Sequence, residues 1–203
     1  MTFSCGSVLE LGGGKITCER AHGSQNLKEA FQNSCNCAFA TLAQELGADT
    51  LNEYVQKFGV IQSVSFDGVT TASGAYTNTN EPVFLGLGAI GQHEDQINPC
   101  SFMVYMGAVA NGGKAVMPYM IEQVTAGERI TYQAQKTSGD RVMSTQTAAT
   151  VKEYMRSNVT QKYGEEKVTH IITYGTMATK MAIKDVARVQ KVPLATVNAL
   201  CKA

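Results

Sequence analysis

The chain has 203 residues, 44% hydrophobic and 17% charged, with 17 Lys/Arg against 17 Asp/Glu. One domain or two small ones with a sizeable core is expected, and disorder is argued against. A zero net charge gives no global pull toward nucleic acid or membrane, and no run reaches the eighteen or more apolar residues of a membrane helix. The first thirty residues carry no charged-then-apolar leader, and the opening MTFSCG reads as if the chain starts inside a domain.

In chain order, SVLELGGGKITCER predicts strand, Gly-rich turn and strand. HGSQNLKEAFQNS opens a helix with Ser24 as N-cap and Leu27, Ala30 and Phe31 on one face. NCAFATLAQELG continues helically to Gly47, and DTLNEYVQKFG forms another short helix ending at Gly59. VSFDGVTTASGAYTNTNEPVFLGLGAIGQ, rich in Gly, Thr and Asn, reads as an irregular surface segment whose exposed-looking 67–84 stretch is a cleft wall or a poorly ordered connection. Pro99 starts a buried helix through Met103, Met106 and Val109, closed by Asn111-Gly112-Gly113. Val116–Val124 and ERITYQAQ are then read as strands, and STQTAATVKEYMRSNV as a helix capped by Ser144. Beyond it, a short element is expected over Val168–Thr173 and a helix from about Thr176 to Gln190.

The six cysteines stand at 5, 18, 35, 37, 100 and 201, with no CxxC and no paired Cys/His spacing of the zinc kind. Cys5 and Cys18 flank the Gly-rich hairpin, as a disulfide or a reduced buried pair. Cys35-Asn36-Cys37 has no His or Cys close in sequence, and on a helix its two thiols diverge by about 200°. Small packing residues are therefore expected there, with no metal and no cofactor. His22, His93 and His170 are scattered and compose no Ser–His–Asp arrangement.

Charge is unevenly spread. Residues 160–203 hold seven Lys/Arg and three acids, whereas 1–159 hold 10 and 14, which places a candidate boundary near 160.

AHGSQNLKEAFQNSCNCAFATLAQELG, then FLGLGAIGQHEDQINPCSFMVYMGAVANGGKAVMPYMIEQV, then STQTAATVKEYM, in that order, resemble the transpeptidase domain of class B penicillin-binding proteins. The resemblance runs from about Phe3 to about Val159. It implies an α+β chain, part of a serine transpeptidase or β-lactamase-like fold with an antiparallel sheet and a helical subdomain, whose missing strands leave exposed edges. That family uses three motifs, SxxK, SxN and KTG. Ser34-Cys35-Asn36 matches the second. The resemblance gives Ser34 a proton-relay role between the catalytic lysine and the leaving amine, and gives Asn36 the orientation of that lysine and of the substrate amide. It also implies peptidoglycan stem peptides or β-lactams as partners, places His93 near the cleft, and locates family members at the outer face of the cytoplasmic membrane. Without a leader, the chain as written is expected in the cytosol.

Two motifs do not match. No S-x-x-K tetrapeptide occurs, QKTSG at 135–139 carries an inserted serine, and TYGTMA at 173–178 lacks the lysine. Acylation activity is therefore not expected. TQKYGEEKVTHIITYGTMATKMAIKDVARVQKVPL resembles a segment of the bacterial DNA polymerase III alpha subunit, over about Thr160–Lys202. The domains expected are thus 1–159 and 160–203, a chimaera of two unrelated fragments. Lys180, Lys184, Arg188 and Lys191 fall within about an 80° arc at helical spacing, as a solvated face or, as the polymerase resemblance implies, a phosphate-contacting one. A reading frame with no selected function is the third possibility.

Overall fold

The computed structural model describes residues 1–168 except Asn78 and Lys136. The elements expected after Val168, together with His170 and the four basic residues at 180, 184, 188 and 191, lie outside the described residues.

Four short strands open the chain: β1 (Thr2–Cys5), β2 (Val8–Leu11), β3 (Gly14–Thr17) and β4 (Gly23–Asn26). β2 and β3 form the expected hairpin, with Leu9 opposite Ile16, and β1 pairs with β4, with Phe3 opposite Gln25. Ser24 is therefore not a helix cap: its backbone is committed to the ladder opposite Ser4. The cap of α1 (Leu27–Gln32) is Asn26, in a reciprocal capping box with Glu29.

The chain breaks at residues 33–35 and resumes as α2 (Asn36–Leu46), then α3 (Ala48–Phe58). Gly47 and Gly59 end these helices as expected, at φ 77° and 70°, a region open to glycine without steric cost. α2 buries Cys37, Ala38, Ala40 and Ala43, small residues that admit close neighbours.

The segment expected to be irregular holds regular structure. A hairpin of β5 (Ser65–Phe66) and β6 (Val69–Thr70) turns at Asp67-Gly68, both at positive φ, the signature of a two-residue hairpin loop. α4 (Pro82–Ala89) follows, with Pro82 in its first turn. Its glycines permit contact rather than disorder: a Cβ on Gly86 would lie 3.1 Å from Leu11 and 3.3 Å from Ala40. Leu85 packs with Ala43 and Ala48 in one core cluster.

α5 (Pro99–Ala110) starts and stops where expected, but buries Ser101, Ala108 and Val109, while Met103 is 73% exposed. β7 (Lys114–Val116) ends far short of Val124, just before Pro118, which has no N–H for a ladder. β8 (Gln123–Ala126) and β9 (Arg129–Gln133) form a hairpin with every residue exposed, and β10 (Ser138–Arg141) pairs with β7. α6 (Thr145–Tyr163) is capped by Ser144 as expected, and runs without a break through position 160 to Gly164. A 3-10 turn, Glu165–Lys167, follows.

Among the described residues the strands form five two-stranded antiparallel pairs, and residues Met1–Val168 make up one compact unit. α6 lies on α1: Tyr154 packs against Phe31 at 5.9 Å, and Asn158 donates to the carbonyls of Phe31 and Gln32. These bonds satisfy carbonyls that a helix end leaves open. Among the described residues no helix is long and apolar enough to cross a membrane.

Candidate functional site

Ser34-Cys35-Asn36 sits at the junction of α1 and α2. The N–H groups of Asn33, Ser34 and Cys35 donate to the carbonyls of Glu29, Phe31 and Ala30, tightening the end of α1. Ser34 then adopts φ 50°, in the left-handed region that few non-glycine residues enter. This single residue turns the chain, so that Ser34 is exposed, Cys35 buried, and Asn36 half-buried at the start of α2. The Asn36 side-chain amide donates to the Thr17 carbonyl at 2.9 Å, tying the junction to β3. Glu19, Arg20, His22, Asn33, Ser34 and Asn36 line one open cleft of about 480 Å³. The structure thus brings Ser34 and Asn36 to one surface depression with polar walls.

Cys35 and Cys37 are not separated as helical geometry would suggest. Cys35 is the N-cap of α2, at φ −79° and ψ 101°, and so lies outside the helix. Its Sγ is 3.7 Å from Cys18 Sγ, and Cys37 Sγ is 3.5 Å from the same atom. Cys5 Sγ lies 3.4 Å from His22 Nδ1. The ligating atoms of Cys5, Cys18, His22 and Cys35 all fall within 4.8 Å of one another. Cys35 and Cys37 both approach Cys18, but only Cys35 joins the four-residue cluster, and both are buried in one core cluster with Phe3, Cys5, Ala30 and Ala38, as expected of small packing residues. Cys5, Cys18, Cys35, Cys37 and Cys100 are free thiols, so the Cys5–Cys18 alternative resolves to the reduced pair.

The thiols differ in acidity. Burial pushes Cys5 up, but backbone hydrogen bonds from Ser7 and His22, the His22 ring and the Cys35 thiol outweigh it and hold Cys5 at about 6. Burial pushes Cys35 up to about 11, helped by the neighbouring thiols Cys5 and Cys18. Cys37 is likewise raised, by burial first and then by Cys18 and Cys5. The sequence reading missed this cluster. One signal for it was present, the Cys18-x3-His22 spacing, which resembles a metal-ligand pair once a strand end is placed there.

The family profile for the penicillin binding protein transpeptidase domain matches residues 10–182. The chain belongs to that family. Its similarity to the peptidoglycan D,D-transpeptidase PbpA of Mycolicibacterium smegmatis is 30% identity over 142 residues, covering 68% of this chain and 29% of the relative. The chain therefore spans less than a third of that relative's length. A solved structure of penicillin-binding protein A from M. tuberculosis, a ceftriaxone acyl-enzyme complex, superposes with a TM-score of 0.76 at 21% identity. It covers 84% of this chain and 40% of that one, and shows the shared α+β fold. The C-terminal stretch is similar to the DNA polymerase III subunit alpha of Borreliella burgdorferi, 57% identical over 44 residues, 22% of this chain and 4% of that one.

Within the transpeptidase domain the remaining site expectations fall as follows. His93, at φ 74°, stacks its ring on Phe84 at 4.8 Å and does not line the Ser34 cleft. The QKTSG stretch leads into β10, whose partner is β7. The TYGTMA stretch lies outside the described residues.

Proposed function

We propose that this chain carries the SxN portion of a peptidoglycan D,D-transpeptidase site and that its 203 residues alone do not acylate. The observation that carries the reading is the Ser34–Asn36 junction, a left-handed turn that presents both polar side chains to one cleft while Asn36 is anchored on β3. In such a site Ser34 passes a proton between a lysine and the leaving amine, and Asn36 holds that lysine and the substrate amide. The nucleophilic serine and its lysine belong to SxxK, which this sequence lacks. Loss of a nucleophile costs many orders of magnitude in rate. Stem peptides ending in D-Ala-D-Ala, and β-lactams that mimic them, are the ligands this reading assigns.

Fluorescent penicillin tests it. The expected result is no label surviving denaturation, together with weak saturable binding of a D-Ala-D-Ala peptide that shifts the NMR amide signals of Ser34 and Asn36 and is lost in Asn36→Ala. A denaturation-resistant label would overturn the inactivity, and absence of peptide binding would overturn the assignment of the cleft.

The polymerase-like stretch favours a second reading, in which Lys180, Lys184, Arg188 and Lys191 contact phosphates, with the division near 160 as a junction of two origins. Four such contacts give weak, salt-sensitive binding. DNA retention that falls with salt and vanishes on deleting 160–203 is the supporting result, and genomic reads that fail to run continuously through codons 155–165 would mark the junction as an artefact.

A further inference from the structure

Four side chains from separate segments converge behind the SxN junction: Cys5 from the end of β1, Cys18 just after β3, His22 just before β4 and Cys35 from the α2 cap. Their backbones are held in place independently of the side chains. His22 N–H donates to the Cys5 carbonyl at 3.1 Å, Cys18 N–H to Ser7 at 2.8 Å, and Cys35 N–H to Ala30 at 2.9 Å.

We propose that Cys5, Cys18, His22 and Cys35 form a tetrahedral site for a zinc-type divalent cation. Zinc bonds of about 2.3 Å to sulfur and 2.0 Å to nitrogen give tetrahedral edges of about 3.8 Å between sulfurs and about 3.5 Å between sulfur and nitrogen. Two edges already have these lengths: 3.7 Å for Cys18–Cys35 and 3.4 Å for Cys5–His22. The remaining edges reach at most 4.8 Å, so closure on the ion needs contractions of at most about 1 Å between sulfurs and about 1.3 Å between sulfur and nitrogen, which small torsion changes supply. The donor set contains no carboxylate, and three sulfurs with one imidazole select a soft or borderline cation over magnesium or calcium.

The surroundings suit thiolates. The Cys37 N–H donates to Cys18 Sγ at 3.3 Å. The Gln25 side chain lies against Cys35, and its Nε2, buried with no hydrogen-bond partner, is available to a thiolate there. Such outer groups orient and polarise metal ligands. With one divalent cation bound, the site holds three thiolates and a neutral imidazole at a net charge of −1, any remaining thiol protons going to solvent. Cys37 lies outside the donor set, its Sγ donating toward the Ile16 carbonyl at 3.9 Å. A disulfide would engage only two of the sulfurs, and the contacts of 3.5 and 3.7 Å are far beyond the bonding distance of about 2.05 Å. Because Cys35 is the middle residue of SxN, the ion would fix the turn that presents Ser34 and Asn36. The site does not depend on acylation activity.

The test uses the full chain, reduced and stripped by chelator, titrated with cobalt(II) and then zinc. One equivalent of cobalt is expected to give tetrahedral d–d bands and a sulfur-to-cobalt charge-transfer band, removed by one equivalent of zinc, and zinc is expected to raise the melting temperature. Cys37→Ser, Cys100→Ser and Cys201→Ser should keep the spectrum. Cys18→Ser should weaken cobalt binding by more than tenfold, and His22→Ala, at a half-buried position, should do so without loss of fold. Absence of the charge-transfer band in the wild-type chain would overturn the proposal. So would an unchanged spectrum in Cys18→Ser, or a mapped Cys18 disulfide that forms in the presence of stoichiometric zinc.

Discussion

Asn36 Nδ2 donates to the Thr17 carbonyl at 2.9 Å, so the last residue of the SxN motif is anchored on β3, immediately before Cys18 of the thiol cluster. Asn36→Ala removes that bond at a partly exposed position and is expected to cost about 1 kcal/mol. Asn36→Asp, which turns a carboxylate toward the carbonyl, should cost at least as much. Urea unfolding of the two variants checks this, and equal stability of both with wild type would show that the anchor contributes nothing.

Asn98 is buried at 4% exposure and serves three segments at once. The two protons of its Nδ2 are shared among three acceptors, the Gln62 carbonyl at 2.8 Å, Thr71 Oγ1 at 2.6 Å and the Ala72 carbonyl at 2.7 Å, while Oδ1 caps α5 at the Cys100 N–H. Asn98→Ala leaves buried carbonyls unpaired and removes the cap, a loss expected to total about 3 kcal/mol. A much smaller shift in the denaturation midpoint would mean that water replaces the amide.

Asp67 accepts from the Ile121 and Met120 N–H groups, with the Tyr132 hydroxyl nearby, and these donors hold its carboxyl below 3.8. The folded state thus binds this proton less readily than the unfolded one. Its stabilising contribution is complete above the unfolded value of 3.8 and is lost as pH falls through the lower folded value. The stability difference between wild type and Asp67→Asn should be level from neutrality to about pH 5 and shrink below pH 3.8. Asparagine tolerates the positive φ of this turn, so the comparison isolates the charge. A difference that is constant through the acid limb would contradict the assignment.

Gly112 and Gly113 both have positive φ, yet they differ in surroundings. A Cβ on Gly112 meets only Thr145 Cγ2 at 3.7 Å, whereas one on Gly113 runs into the Met143 carbonyl oxygen. Gly112→Ala is expected to cost about 1 kcal/mol through its backbone alone. Gly113→Ala should cost about 3 kcal/mol or more, since it also displaces the Val142 and Met143 N–H groups that donate to the Gly113 carbonyl. Thermal unfolding of the pair reads the difference directly.

Much of the helical part was legible because its signals are local. Gly47 and Gly59 stop α2 and α3, Pro99 and Asn111 bound α5, and Ser144 caps α6, each within one turn of the residue it acts on. Asp67-Gly68 was equally local, a hairpin turn hidden by the polar composition around it. Ser24 and α4 were misread for another reason. Ser24 is held by a strand twenty residues earlier, and the glycines of α4 answer to α2 and the first hairpin.

The sequence by itself determined the family, the SxN residues, the missing SxxK and most helix ends, because these depend on residue identity and short spacings. Only the tertiary structure decided where the cysteines meet. Ser34 takes a left-handed turn, which moves Cys35 off the helix, and the pairing of β1 with β4 and of β2 with β3 carries Cys5, Cys18 and His22 to meet it. That convergence spans chain separations which no helical period encodes, and it arises from strand pairing and burial acting together.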